Sequence, residues 1–139
     1  AVGYPGLYAL YRVLDDFRPQ SILELGLGQS TKLTGNYAKY RRQQGEMCEH
    51  YVVEHDKAWI DFFSINNDIT ETQILNMEMQ EITLELDENG SAKVNIYVGF
   101  GEKLKDKVFD LIFIDAPLGS DDYSRIDIVD ILPNCLAHS

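Results

Sequence analysis

Residues 21–31 read Ser-Ile-Leu-Glu-Leu-Gly-Leu-Gly-Gln-Ser-Thr, and no other stretch restricts the fold so strongly. Ser21 to Leu25 is a short apolar run with one acid inside it, the pattern of a buried strand. Gly26-Leu27-Gly28 is a turn that lets a ligand approach the backbone closely. Ser30 or Thr31 can cap the helix that follows, which is expected to run to about Tyr40 with Leu33 and Tyr37 inward. Strand, glycine turn and helix in that order aim free N–H groups and a partial positive charge at whatever lies over the turn. A dinucleotide fingerprint carries a third glycine at position 31, where Thr31 stands instead. Glu24, two residues ahead of Gly26, is an acid that a purely structural turn does not need.

The flanking sequence alternates in the same way. Leu7, Leu10, Tyr11 and Leu14 recur at helical spacing, and Arg18-Pro19 ends that helix. Arg41 to Glu46 reads as a polar loop around the one adjacent basic pair, Arg41-Arg42. Tyr51 to Glu54 is a second short strand. Asp56 can cap a helix through Trp59, Phe62 and Phe63, stopped by Asn66-Asn67-Asp68. Thr72 to Met79 is a further strand. Thr83 to Leu86 and Val94 to Val98 form a hairpin around Asp87-Glu88-Asn89-Gly90. After a glycine-containing loop, Val108 to Asp115 is the most apolar strand, ended by Ala116-Pro117-Leu118-Gly119. A last helix is expected from about Tyr123 to Cys135, with Ile126, Val129 and either Leu132 or Pro133 on one side.

This alternation predicts an α/β fold: a doubly wound, mostly parallel sheet with helices on both faces and right-handed crossovers. In such sheets ligands sit beyond the carboxyl ends of the strands, at the switch in strand order. Four places qualify: Glu24 to Thr31, Glu54 to Asp56, Val98 to Gly101, and Asp115 to Asp122.

The 139 residues make room for one domain spanning 1–139. Hydrophobic residues at 45% and charged residues at 25% are those of a folded globular chain. The net charge of −11 repels phosphate backbones and anionic lipid, so neither nucleic acid nor a membrane surface is an expected partner. No apolar run approaches the ~20 residues of a membrane span. The first residues, AVGYPGLYALYRVL, have no basic n-region and no small-residue cleavage site, so no signal peptide is expected. Cys48 and Cys135 lack disulfide or zinc spacing and fit a reducing, cytoplasmic setting. His50, His55 and His138 show no metal-ligand spacing and are expected in structural or surface roles.

Beside Glu24, two further acids, Glu54 and Asp115, are candidates to carry chemistry. Glu54 ends an apolar strand, 26 positions after Gly28, where a carboxylate accepts hydrogen bonds from both hydroxyls of a ribose. Its structural alternative is a solvated acid at a strand end. Asp115 ends a strand expected to be central and buried, where a carboxylate must be paired, bonded or liganding a metal. Asp110 is expected at the surface. Asp121 or Asp122 can cap the last helix, and Arg125 begins it, either as a surface residue or in contact with substrate.

Taken together, Glu-x-Gly-x-Gly after the first strand, an acid after the second and Phe-Asp-Leu-Ile-Phe-Ile-Asp-Ala-Pro at 109–117 resemble the class I S-adenosylmethionine-dependent methyltransferases. Tyr51 to Trp59 looks like the small-molecule O-methyltransferase branch, and the resemblance covers roughly Pro5 to Leu136. It implies a Rossmann-like fold in which Glu24, Gly26 and Gly28 contact the methionine half of the cofactor, with Ser30 as the family's third small residue. It implies Glu54 on the ribose and Gly99 to Glu102 on the adenine side. It puts Asp115 by the methyl group, as a ligand to a divalent metal such as magnesium or as a substrate-positioning acid.

The pattern departs from the family in two ways. The hairpin from about Glu81 to Val98 looks like an insertion. The family sheet has seven strands, whereas this chain ends after the helix that follows the fourth, so the C-terminal part of the fold is expected to be absent. An apolar fourth strand at an open edge then predicts homo-oligomerisation or covering residues beyond Ser139. The leading expectation is methyl transfer to a small-molecule acceptor at oxygen. Two rivals stand beside it: a nicotinamide-dependent oxidoreductase, and a non-catalytic nucleoside-binding module on a methyltransferase scaffold.

Overall fold

The structure is a computed structural model and describes residues 4–86, 90–114 and 123–125. Its elements are α1 (Tyr4–Phe17), β1 (Ser21–Leu25), α2 (Gln29–Gln43), β2 (Glu49–Glu54), α3 (Lys57–Asn66), β3 (Gln73–Asn76), β4 (Met79–Leu86), β5 (Gly90–Tyr97), α4 (Phe100–Leu104), β6 (Leu111–Ile114) and β7 (Tyr123–Arg125).

Four of the strands form a parallel sheet in the order β3-β2-β1-β6. β2 and β3 lie to one side of β1 and β6 to the other, so the strand order switches at β1. The register sets Leu25 beside both Val53 and Ile114, and Glu54 beside Asn76. The carboxyl ends of the four strands are therefore level. Helices flank this sheet, and the arrangement is compatible with a Rossmann-like fold.

Alternation along β1 and β2 divides the core in two. Ile22 faces Leu10 and Leu14 of α1 and Ala38 of α2, while Val52 packs with Leu27, Ile60 and Phe63 beneath α3. On the opposite face Leu23, Leu25, Tyr51 and Val53 pack against Tyr97, Phe100, Leu104 and Phe109. Each fully buried Leu or Phe contributes roughly 1.5–3 kcal/mol relative to exposure, so these two layers are what hold the sheet flat against its helices.

A second sheet has the order β4-β5-β7. β4 and β5 form the expected hairpin, with Leu86 opposite Gly90 and Met79 opposite Tyr97, and its turn residues 87–89 lie outside the described residues. Several boundaries differ from the sequence reading. The stretch Thr72 to Met79 is interrupted: β3 ends at Asn76, the N–H of the buried Met77 makes the last bond of the β2–β3 ladder to Glu54 O at 3.1 Å, and Met79 begins β4 in the other sheet. α2 continues through Arg41, Arg42 and Gln43, since Arg and Gln are good helix formers and both arginines sit favourably at a helix carboxyl end. The loop after β5 contains a short helix, α4.

Two corrections concern the carboxyl-terminal third. Tyr123, expected to open a helix, begins β7, which pairs in parallel with β5, so Arg125 is a strand residue opposite Asn95. Residues 126–139, including the rest of that expected helix, lie outside the described residues. The apolar strand at 108–115 narrows to β6, which occupies an edge of the described sheet. Leu111, Ile112 and Phe113 are half-buried and Ile114 is exposed.

Candidate functional site

The turn after β1 is built around Leu27. Gly26 takes φ 106°, which a side chain would strain, and its N–H donates to Val53 O at 2.8 Å. This is the last bond of the parallel β1–β2 ladder, and the chain turns immediately after it. Leu27 then donates its N–H to Glu54 Oε1 at 3.1 Å and accepts from the Trp59 indole N–H at 2.7 Å. Its side chain is buried with Val52, Ile60 and Phe63. The turn is thus held from β2, from α3 and from the core together.

Gly28 is the cap of α2. Neither Ser30 nor Thr31 is the capping residue, but Thr31 reaches back and its Oγ1 accepts from Gly28 N–H at 3.1 Å. A Cβ added at Gly28 would meet nothing within 4 Å. The space in front of the turn is therefore open, the condition for a ligand to lie against the backbone there. Ser30 is fully buried in the first turn of α2, and its hydroxyl has no partner among the described residues.

Glu54 closes the other side. Its two oxygens accept separately, Oε1 from Leu27 N–H and Oε2 from Asp56 N–H at 2.9 Å. His55 Nδ1 stands 3.2 Å from Oε2. The residue is 5% exposed. Oε2 is thus flanked by two groups, whereas Oε1 takes Leu27 N–H alone and keeps a second lone-pair direction for a hydroxyl donor. Asp56 meanwhile caps α3, accepting from Trp59 N–H at 3.0 Å, as its sequence position predicts. Asn76 at the end of β3 donates to Glu54 O at 3.0 Å and fixes the strand end from beyond.

Glu24 lies deeper. It is fully buried, and Oε2 is 2.5 Å from His50 Nε2, while His50 Nδ1 is 2.8 Å from Thr72 Oγ1. This row of side chains joins β1, β2 and the residue just before β3 beneath α2. The other oxygen, Glu24 Oε1, has no hydrogen-bond partner among the described residues. Glu24 therefore sits under the turn and engages β2, where the sequence reading had it touching a ligand. His50 and Thr72 were not singled out for any site, because their spacing from Glu24 follows no short motif.

The remaining candidates are dispersed. Gly99 takes φ 77° and opens α4, and Glu102 follows on its exposed first turn, 3.6 Å from Lys105 Nζ. α4 packs through Phe100 and Leu104 against the face of the sheet that carries Leu25 and Val53. Asp115, the candidate metal ligand, lies outside the described residues, as do Asp121 and Asp122. Among the described residues no group of three or more His, Cys, Asp or Glu could hold a metal ion. Cys48 is buried with a free thiol, and desolvation pushes its pKa up. No helix of the described residues is long and apolar enough to cross a membrane. A cavity of about 390 Å³ lies between α1 and α2, away from the glycine turn.

Against known proteins, no family model matches the chain, and neither a curated protein nor a solved structure matches it.

Proposed function

We propose that the chain binds S-adenosylmethionine at the turn after β1 and transfers its methyl group to a small-molecule acceptor at oxygen. The observation that carries this reading is the bond from Leu27 N–H to Glu54 Oε1. It joins a glycine turn and an acid at the level carboxyl ends of two parallel strands, next to the switch in strand order, where nucleosides are bound in sheets of this kind. The open space at Gly28 and the lone pair left on Glu54 Oε1 fit the ribose and its attached chain.

In this reading Gly26 and Gly28 let the ligand approach the backbone, and the amino end of α2 favours the carboxylate of its methionine part. Glu54 accepts from the ribose hydroxyls. Glu24 supports the turn from below and retains one oxygen without a partner among the described residues. Ser30 keeps the first turn of α2 close to the sheet. Gly99 and Glu102 take the adenine side, Arg125 contacts the acceptor, and Asp115 positions the acceptor or ligates a divalent metal such as magnesium. When bound, S-adenosylmethionine supplies an electrophilic methyl group. What the protein adds is proximity and orientation of the acceptor oxygen.

Calorimetric titration with S-adenosylhomocysteine and, separately, with NADH tests the reading, followed by a radiolabelled methyl-transfer assay. Saturable binding of S-adenosylhomocysteine together with methyl transfer supports it. Preference for NADH would support an oxidoreductase instead, and binding without transfer would support a nucleoside-binding module.

A further inference from the structure

We propose that the cavity between α1 and α2 is a separate ligand site for a zwitterionic amino acid with an apolar side chain. Its volume, about 390 Å³, is that of a small-molecule site. Leu14, Leu33, Tyr37 and Tyr40 form its apolar walls. Tyr37 is a fixed wall, since its hydroxyl donates to Pro19 O at 2.8 Å. Burial, with the nearby Cys48 thiol, pushes that phenol up to about 12, so it stays neutral.

The charges around the cavity select the ligand. Arg41 is taken by Glu46. Asp15 and Arg18 also line the cavity, and neither side chain makes a hydrogen bond or ion pair with the described residues. Both are exposed at the rim of the cavity, and an anion and a cation beside apolar walls complement a molecule with an ammonium, a carboxylate and an apolar body. A guanidinium matches a carboxylate in plane and in donor spacing, and Asp15 accepts from the ammonium.

The backbone at Arg18 points the same way. Its N–H donates to Leu14 O at 3.1 Å and closes α1, and its φ is 48°. Among the described residues it is the sole non-glycine residue with positive φ. Glycine is the residue that ends helices in this conformation without strain. An arginine held there, immediately before Pro19, keeps a strained backbone in exchange for a side chain at the cavity.

This site does not rest on the methyl-transfer reading. Arg18 and Pro19 lead into the start of β1, whereas the glycine turn follows its end. Tyr40 lies about 16 Å along α2 from Gln29.

The test is calorimetric titration of the whole chain with L-phenylalanine, L-tyrosine, L-leucine and L-methionine as probes. At least one should bind saturably. For an L-phenylalanine response, 3-phenylpropionate and 2-phenylethylamine, each lacking one charge, should bind at least about tenfold more weakly. Arg18→Gly should weaken binding at least about tenfold while raising the melting midpoint by about 3 °C, because the strain is relieved. Loss of binding in a more stable variant cannot come from unfolding. Arg18→Gln gives the same binding readout if the glycine variant fails to fold. Asp15→Asn should weaken L-phenylalanine and spare 3-phenylpropionate. The proposal is overturned if no probe binds, if an analogue lacking one charge binds as tightly as the amino acid, or if both Arg18 variants bind normally.

Discussion

Glu24 and Glu54 lie on neighbouring parallel strands and are both buried, yet they are satisfied in opposite ways. Glu24 is met by a side chain, His50, which is itself met by Thr72. Glu54 is met chiefly by two backbone N–H groups, from Leu27 and Asp56, at the rim of the sheet, with the half-exposed His55 ring 3.2 Å from Oε2. A side-chain partner belongs to the packed interior and ties β1, β2 and the start of β3 together. Backbone partners belong to turns, and they leave the carboxylate where the turns open. The inner acid is thereby built into the packing of the sheet, and the outer one stands at the turns where the proposed ligand would lie. Position in the strand decides this: Glu24 has Leu25 still to come before the turn, whereas Glu54 is the last residue of β2.

The largest effect expected from this contrast is on folding. Glu24→Ala leaves His50 buried without its partner, and breaking a buried pair from one side costs about 3–5 kcal/mol. His50→Ala should cost a similar amount by leaving Glu24 alone. The double variant should cost clearly less than the sum of the two, as contacting residues do. Urea denaturation of the three variants measures this, and additive losses would mean that the 2.5 Å contact is not a coupled pair.

Next is Gly28→Val. Its φ of −178° is extended backbone open to any residue, and nothing lies within 4 Å of the added Cβ. The variant should therefore fold normally by circular dichroism. It should also lose S-adenosylhomocysteine binding by at least about a hundredfold, since the side chain fills the space over the turn. A folded variant with normal affinity would remove the ligand from this turn.

Glu54→Ala is expected to weaken the same ligand by roughly tenfold to a hundredfold, from the loss of charged hydrogen bonds of about 1.5–3 kcal/mol each. It sharpens the comparison because Glu24→Gln, which keeps the shape of the inner acid, should alter affinity less than Glu54→Gln does. The reverse order would exchange the two roles. The smallest effect is on the cap: Asp56→Ala should lower stability by about 1 kcal/mol through loss of the Trp59 N–H acceptor. Thermal unfolding reads this directly.

Local features of the chain were legible in advance. The apolar run 21–25, the glycines after it and the acid at 54 predict a strand, a turn and a strand end, and the structure brings the last two within one hydrogen bond. Asp56 at a helix start and the hairpin around residues 87–90 were legible for the same reason, because each depends on neighbours in sequence. Long-range partners were not. Nothing near Glu24 announces His50 or Thr72, and nothing near Tyr123 announces a parallel pairing with Lys93. The break between β3 and β4 was hidden because Met77 is apolar and suits a continuous strand, whereas β3 and β4 belong to different sheets. The strained arginine before Pro19 was read as a helix stop, which it is, without any sign that its side chain stands beside a cavity.

The central claim, that the rim of β1 and β2 is the recognition site, is tested most directly by amide NMR of the labelled protein titrated with S-adenosylhomocysteine. The account predicts saturable shifts at Gly26, Leu27, Gly28 and at Glu54 to Asp56, with His50 and Thr72 little changed. Saturation with the largest shifts at His50 and Thr72, or around Arg18 and Tyr40, or no saturable shift at all, would contradict it.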